Sequence, residues 1–168
     1  MKKVCSSFWI NPKILKKYFD NKVREQCKSC KRYSFKATCP PYCESINYYK
    51  NLLPTYKNGR LIIYKYTEID LAKWKEQGEE SSRDISKHLI ALRNKLLKRE
   101  HYFVIGFTAG SCKNCKECSF PCRFPDKSFV PVEGTGLNII KLVKDITNYD
   151  IKFPVEKYFY RVGIIIWD

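Results

Sequence analysis

Residues 102–122 read YFVIGFTAGSCKNCKECSFPC, and this stretch decides the fold because an apolar run leads directly into four cysteines. The run Tyr102–Phe107 is rich in aromatic and β-branched residues, which favour a buried strand. Gly110 follows the run, and glycine favours a turn. The sequence therefore predicts a strand that delivers a cysteine-rich loop to one end of a sheet.

Further elements are predicted on both sides of this stretch. Leu61–Tyr64 and Tyr158–Trp167 have the composition of buried strands. Helices are predicted where capping residues precede apolar residues at a spacing of three or four. One helix is predicted to start at Asn11-Pro12, a second to cover 46–53, a third to follow the capping signal Ser81-x-x-Asp84, and a fourth to cover 137–146.

The alternation of strands and helices predicts an α/β fold. We expect one domain, residues 1–168, with a small sheet of about three to four strands and helices packed on it. Two cysteine-rich metal-binding loops, at 27–43 and 110–125, complete the domain. To share metal, the two loops have to meet at one end of the sheet.

The second loop carries the stronger chemical signal, Cys112-x2-Cys115-x2-Cys118-x3-Cys122. This is the spacing of a bacterial ferredoxin run, in which closely spaced thiolates each bind a different iron of one cluster. A single tetrahedral zinc ion prefers two cysteine pairs that a longer loop separates. The fourth cysteine of a ferredoxin run often binds a second cluster. One departure is that proline precedes Cys122 and Arg123 follows it.

The first loop carries Cys27-x2-Cys30-x8-Cys39-Pro-Pro-x-Cys43. Alone, this spacing also fits a zinc knuckle. Beside the ferredoxin-like run, it favours a second iron–sulfur cluster. Cys43 either completes a four-thiolate site or leaves one iron open for catalysis. Cys5 stands alone near the start of the chain, and we expect it to be an ordinary thiol.

Composition limits the remaining possibilities. The chain has 9 cysteines, an odd number that fits a complete disulfide framework badly. No apolar run has the length of a signal peptide or a membrane span. We therefore expect a cytoplasmic protein in a reducing compartment, where thiols bind metal or stay free. Zinc and disulfides remain the alternatives to iron–sulfur clusters.

The cysteines stand in a wider pattern: Tyr33 and Pro40-Pro41 in the first loop, and Gly110, Arg123 and Pro125 around the second. With these residues the chain resembles a family of predicted metal-binding proteins of unknown function, DUF2284, over most of its length. A third motif of that family is matched at Glu133, Gly136 and Ile139. The resemblance leaves Cys5 and Cys43 outside the pattern and implies metal binding by Cys27, Cys30, Cys39, Cys112, Cys115, Cys118 and Cys122.

Four other residues have possible roles. Arg123 could donate hydrogen bonds to a cofactor sulfur or to an anionic substrate, or form a structural ion pair. Glu133 is expected to cap the following helix and could instead donate a proton near a cluster. His88 shares the apolar face of its helix, so we expect a boundary residue. His101 opens a strand, and neither histidine has zinc-ligand spacing.

The residues favour an iron–sulfur redox protein with two four-iron clusters, which would pass electrons to a partner or to a substrate at a cluster. An oxidoreductase activity is compatible with this hypothesis, but no catalytic residue can be named. The net charge of +15 would steer an acidic electron-transfer protein toward the clusters. The alternatives are a zinc-ribbon module that binds nucleic acid, which is not favoured, and a protein that delivers metal or clusters.

Overall fold

The computed structural model describes residues 1–168, which form a five-stranded sheet in the order β1-β2-β5-β3-β4. Neighbouring strands are antiparallel, except that β3 and β4 are parallel. The strands are β1 (Lys2–Ile10), β2 (Asn58–Thr67), β3 (Val104–Thr108), β4 (Val130–Pro131) and β5 (Tyr158–Trp167). The α-helices are α1 (Asn21–Glu25), α2 (Ile46–Leu52), α3 (Trp74–Leu97), α4 (Val132–Thr135) and α5 (Ile139–Thr147). Short 3₁₀ helices cover Pro12–Tyr18, Gln26–Ser29, Leu53–Thr55, Leu71–Lys73 and Pro125–Lys127.

The central strands β2 and β5 are buried on both faces of the sheet. Successive side chains of a strand point to opposite faces, and along β5 Ile164 and Ile166 enter one core while Ile165 and Trp167 enter another. Because both faces are apolar, these strands read as continuous hydrophobic runs rather than alternating ones. Helices therefore cover the sheet on both sides, and the predicted α/β layers are confirmed.

Helix α3 covers one face of the sheet. Gly163 lets it approach closely, since a Cβ at this position would lie 3.0 Å from Leu89 Cδ1. The predicted helix start at Ser81 is wrong, because α3 begins seven residues earlier at Trp74. Ser81 lies inside the helix, where its hydroxyl donates to the carbonyl of Gly78. The first two turns are polar and exposed, so the apolar periodicity begins only at Ile85.

The opposite face is covered by α2, α5 and the 3₁₀ helix Pro12–Tyr18, and the larger apolar core lies there. The predicted helix over 46–53 is confirmed as α2, with Ser45 as its N-cap. The helix predicted over 137–146 begins two residues later, at Ile139, with Asn138 as its N-cap. The start at Asn11 is also confirmed, since its side chain accepts a hydrogen bond from the N–H of Lys13, but a 3₁₀ helix follows.

The sheet has more strands than the sequence predicts. Strand β1 was missed because it is an edge strand whose residues are mostly exposed, from Lys2 to Ser7. Its apolar residues are interrupted, with Phe8-Trp9-Ile10 as the longest consecutive stretch, so it offers no continuous hydrophobic run of strand length. Strand β4 has only two residues and pairs with Phe107 and Thr108 at the end of β3.

The strands and short helices position both cysteine loops. Loop 1 (residues 27–43) lies between α1 and α2, and loop 2 (residues 110–125) follows β3. The chain entering loop 1 is fixed to the chain leaving α4, because the N–H of Asp20 donates to the Gly136 carbonyl and the N–H of Asn138 donates to the Tyr18 carbonyl, each at 2.8 Å. The fold thus holds the two loops against each other.

None of the helices combines the length and the apolar character that a membrane span requires.

Candidate metal centre

The four cysteines of loop 2 line a single cavity. Loop 1 contributes Lys36, Ala37 and Thr38 to the same lining. The backbone N–H of Ala37 donates to Cys118 Sγ at 3.3 Å. The cavity at Cys112, Cys115, Cys118 and Cys122 is therefore built from both loops, although none of the loop 1 cysteines lines it.

The cysteines of loop 1 line a second cavity, of about 270 Å³, at Cys27, Cys30 and Cys39. Gly110 and Ser111 of loop 2, together with Glu133, complete its wall. Each cysteine set thus shares its cavity with residues from the other loop.

Cys43 does not line this second cavity. Its thiol is buried and donates to the Gly134 carbonyl at 3.6 Å. Cys43 nevertheless lies close enough to raise the pKa of Cys27 and Cys39 through charge repulsion. The structure therefore places Cys43 beside the set of three and outside its cavity wall.

All nine cysteines are free thiols. No group of three or more cysteine, histidine, aspartate or glutamate side chains is arranged to hold a single metal ion.

Burial raises the pKa of the thiols of Cys27, Cys39 and Cys112 in the metal-free protein. Burial, followed by repulsion from Cys43, Cys30 and Cys27, raises the pKa of Cys39 to about 12. Burial is also the main cause of the raised pKa of Cys27 and of Cys112. Metal binds thiolates, so binding at these cavities has to release protons, and a metal ion or cluster would supply the missing positive charge.

Glu133 closes the base of loop 2. Its carboxylate accepts a hydrogen bond from the N–H of Gly110 at 3.2 Å, which joins the first residue of the loop to the helix that follows it. Gly110 has φ +85, a conformation that favours glycine. Burial raises the pKa of Glu133, and the nearby Arg161 partly opposes that rise. The predicted capping role of Glu133 is wrong, because Asn138 caps α5 and no side-chain hydrogen bond caps α4. Glu133 instead lies in the first turn of α4 and bridges to Gly110.

Arg24 connects loop 1 to α4, a role that no local sequence pattern indicates. Its guanidinium donates to the carbonyls of Glu44, Gly134 and Cys43. Gly134 is 110 residues away along the chain, so no local pattern can identify this contact. One side chain thereby holds the end of loop 1 against the helix that carries Glu133.

The remaining candidate residues either contact other protein groups or lie away from the cysteine cavities. Arg123 lines the loop 2 cavity, and its guanidinium donates to the Glu117 carbonyl at 3.1 Å. His88 Nδ1 lies 2.6 Å from Tyr64 Oη at the edge of the core, and burial lowers the pKa of this histidine. His101 lies 3.6 Å from Asp168. Cys5 lies on the exposed edge strand β1 and lines neither cysteine cavity.

The α/β fold carries two cavities lined by cysteines, and residues of both loops form the wall of each. These features define a protein suited to bind metal through thiolates. The chain belongs to the family of predicted metal-binding proteins DUF2284, whose model matches residues 9–166. The match confirms the family that the cysteine pattern resembles. No curated protein and no solved structure matches the chain significantly.

Proposed function

We propose that the protein is an iron–sulfur redox protein that holds clusters in both loops and passes electrons to a partner protein or to a substrate. The observation that carries this proposal is the ferredoxin-like run of loop 2, all four of whose cysteines line one cavity. The donor set fits the cofactor, since iron–sulfur clusters are held by cysteine thiolates and no histidine lines either cavity.

An orphaned polar atom also fits a sulfur-rich cofactor. Thr38 Oγ1 is buried at the loop 2 cavity and makes no hydrogen bond of normal geometry within the protein, although it lies near enough to the Cys39 thiol to offset part of the rise that burial causes in the pKa of that thiol. A buried hydroxyl without a partner is costly, and a sulfur acceptor in the cavity would satisfy it. Cys112, Cys115, Cys118 and Cys122 would hold one cluster, and Cys27, Cys30 and Cys39 the other, with Cys43 as the adjacent fourth thiol. A bound cluster supplies one-electron transfer.

The chain's own groups would set the reduction potential. Backbone N–H groups donate to cysteine sulfur atoms at two places, from Ala37 to Cys118 at 3.3 Å and from Arg32 to Cys30 at 3.4 Å. Such hydrogen bonds stabilise negative charge on sulfur and so favour the reduced state. The lysines of both loops act in the same direction.

One short segment connects the two cavities. Lys36, Ala37 and Thr38 line the loop 2 cavity, and the next residue, Cys39, lines the loop 1 cavity. Since adjacent residues line the two cavities, metal centres held there would be near enough in space to exchange electrons. This continuity supports two communicating centres over two independent ones.

Metal and sulfide analysis tests the proposal. Protein purified without oxygen is expected to be brown, to contain iron and acid-labile sulfide in similar amounts, and to give an electron paramagnetic resonance signal on reduction. A Cys112→Ser, Cys115→Ser variant should lose the iron and sulfide that loop 2 would hold. Colourless wild-type protein that contains stoichiometric zinc and no sulfide would refute the iron–sulfur assignment and favour a zinc-binding module.

The acidic electron-transfer partner is tested with charge variants. Lys28 and Lys31 are exposed residues of loop 1, and Lys16 and Lys17 are exposed residues outside the loops. A Lys28→Glu, Lys31→Glu variant should accept electrons more slowly from an acidic ferredoxin than the matched Lys16→Glu, Lys17→Glu control. Equal rates in both variants, with loss of nucleic-acid binding only in the loop variant, would instead support the nucleic-acid alternative.

A further inference from the structure

A basic cavity of about 400 Å³ lies beside Cys115 and adjoins both cysteine cavities, since it shares Lys36, Asn114 and Cys115 with the loop 2 cavity and Arg32 with the loop 1 cavity. Three segments contribute cationic side chains to it: loop 1, α3 and loop 2. The cations are Arg32, Lys36, Arg83, Lys113 and Lys116. Because they come from distant parts of the chain, their convergence is a product of the tertiary fold.

Glu79 is the only acidic residue in the lining, and it pairs weakly. Its carboxylate oxygens lie 3.9 Å from Arg83 and 4.0 Å from Lys113. Lys36 is only 6% exposed, yet it forms no ion pair. Five cationic side chains and one carboxylate leave a net charge of about +4, and a buried ammonium without a partner is costly.

A cluster in loop 2 does not account for this charge. With four thiolates, a four-iron cluster carries about −2. Of the five cations, only Lys36 also lines the cavity of the loop 2 cysteines. The others converge on the space next to Cys115, where Glu79 is the one acidic residue, so most of their charge is available to a ligand.

We propose that this cavity binds a small dianion that carries a phosphate group, adjacent to the centre at Cys115. The inference rests on the proposed function and deepens it, because it places a substrate or effector beside the cluster that loop 2 would hold. Two guanidinium groups, Arg32 and Arg83, match phosphate oxygens in bidentate geometry, and lysines add point charges. The cavity volume lies within the range of small-molecule sites, and its polar lining suits an anion better than an apolar ligand.

The binding of inorganic phosphate and pyrophosphate to the metal-loaded protein tests the proposal by calorimetry. Titrations are compared with chloride at equal ionic strength, and with succinate as a dicarboxylate of similar charge. Phosphate and pyrophosphate are expected to bind more tightly than either. Wild-type protein that binds phosphate no better than chloride overturns the site, and tighter binding of succinate overturns the phosphate assignment.

Two variants of α3 locate the binding. Arg83 lines the cavity, whereas Lys87, one turn further along the same helix, is exposed and does not. Arg83→Ala should weaken phosphate binding about tenfold to hundredfold, the loss expected for charge-assisted hydrogen bonds. Lys87→Ala removes the same charge and should leave affinity unchanged. Equal weakening in both variants means diffuse attraction by the basic surface and overturns the site.

The outcomes separate this proposal from the iron–sulfur assignment, because metal content is measured on the same samples. A brown protein that does not bind phosphate refutes the anion site and leaves the redox function standing. A zinc protein that binds phosphate through Arg83 refutes the redox function and leaves the anion site standing. In a cluster-loaded protein, phosphate should also shift the electron paramagnetic resonance signal, and an unchanged signal contradicts the adjacency to Cys115.

Discussion

Replacing Arg24 by alanine should release metal from loop 1. The guanidinium donates to the carbonyls of Glu44, Gly134 and Cys43, and so joins loop 1 to α4. The variant removes all three contacts, and of the three carbonyls only that of Gly134 keeps a side-chain donor, the thiol of Cys43 at 3.6 Å. The loop end should therefore open more often.

The size of the effect follows from the contacts. A hydrogen bond to a charged group contributes about 1.5–3 kcal/mol. Arg24 is half-buried, so water replaces part of the loss, and we expect about 2–3 kcal/mol for all three contacts together. Since about 1.4 kcal/mol corresponds to a factor of ten, the open loop should become about 30- to 140-fold more populated.

The assay is the rate at which a chelator removes metal from the loaded protein. If removal passes through the open loop, the rate should rise by the same factor. Lys22→Ala is the matched control, because Lys22 is exposed on the same helix and its side chain forms no ion pair. Equal rates for the two variants would show that Arg24 does not hold the loop, and the reasoning would be wrong.

Three other predictions concern the thiols and the core. Cys30→Ser and Cys115→Ser should each lose metal on elemental analysis, whereas Cys5→Ser should keep it, because only the first two line a cysteine cavity. For the metal-free protein, the free energy of unfolding measured in urea should fall as the pH rises from 9 to about 12. Burial raises the pKa of Cys39 from 9.0 to about 12 in the folded state, so its stabilising effect is complete below pH 9 and is lost as the pH rises between these two values. Cys39→Ser should flatten that decline, and an unchanged slope would contradict it. Gly106→Ala should lower the free energy of unfolding by about 1–3 kcal/mol, since the new Cβ would lie 2.6 Å from an aromatic ring carbon; a stability equal to wild type would disprove the close contact.

The parts of the fold with strong local signals could be predicted from the sequence. Strand β5 was placed at its observed bounds because its apolar run is long and continuous. Strand β1 was missed because an exposed edge strand with Lys2 and Lys3 has no such run. The start of α3 was misplaced because its polar first turns precede the apolar periodicity, which begins at Ile85.

The division of the cysteines into two sets could be predicted from the sequence, whereas the surroundings of each set could not. Cysteine spacing within each loop is local, so the sequence could divide the thiols into two sets. The residues that position the two cysteine sets, and those that place positive charge beside them, are distant from the cysteines in the sequence. Arg24 reaches a carbonyl 110 positions away, and Arg83 joins a cavity with residues of both loops. Such contacts depend on tertiary structure, for which a single sequence offers no periodic signal.

The segment from Lys36 to Cys39, which borders both cysteine cavities, has a consequence for how the protein assembles. When loop 1 is ordered around the first centre, the same segment is fixed in the position from which Ala37 and Thr38 complete the second. The entropic cost of ordering this segment is met once, so the first metal centre to form favours the other. Reconstitution should therefore be cooperative, with empty and fully loaded chains predominating and half-loaded chains scarce throughout a titration.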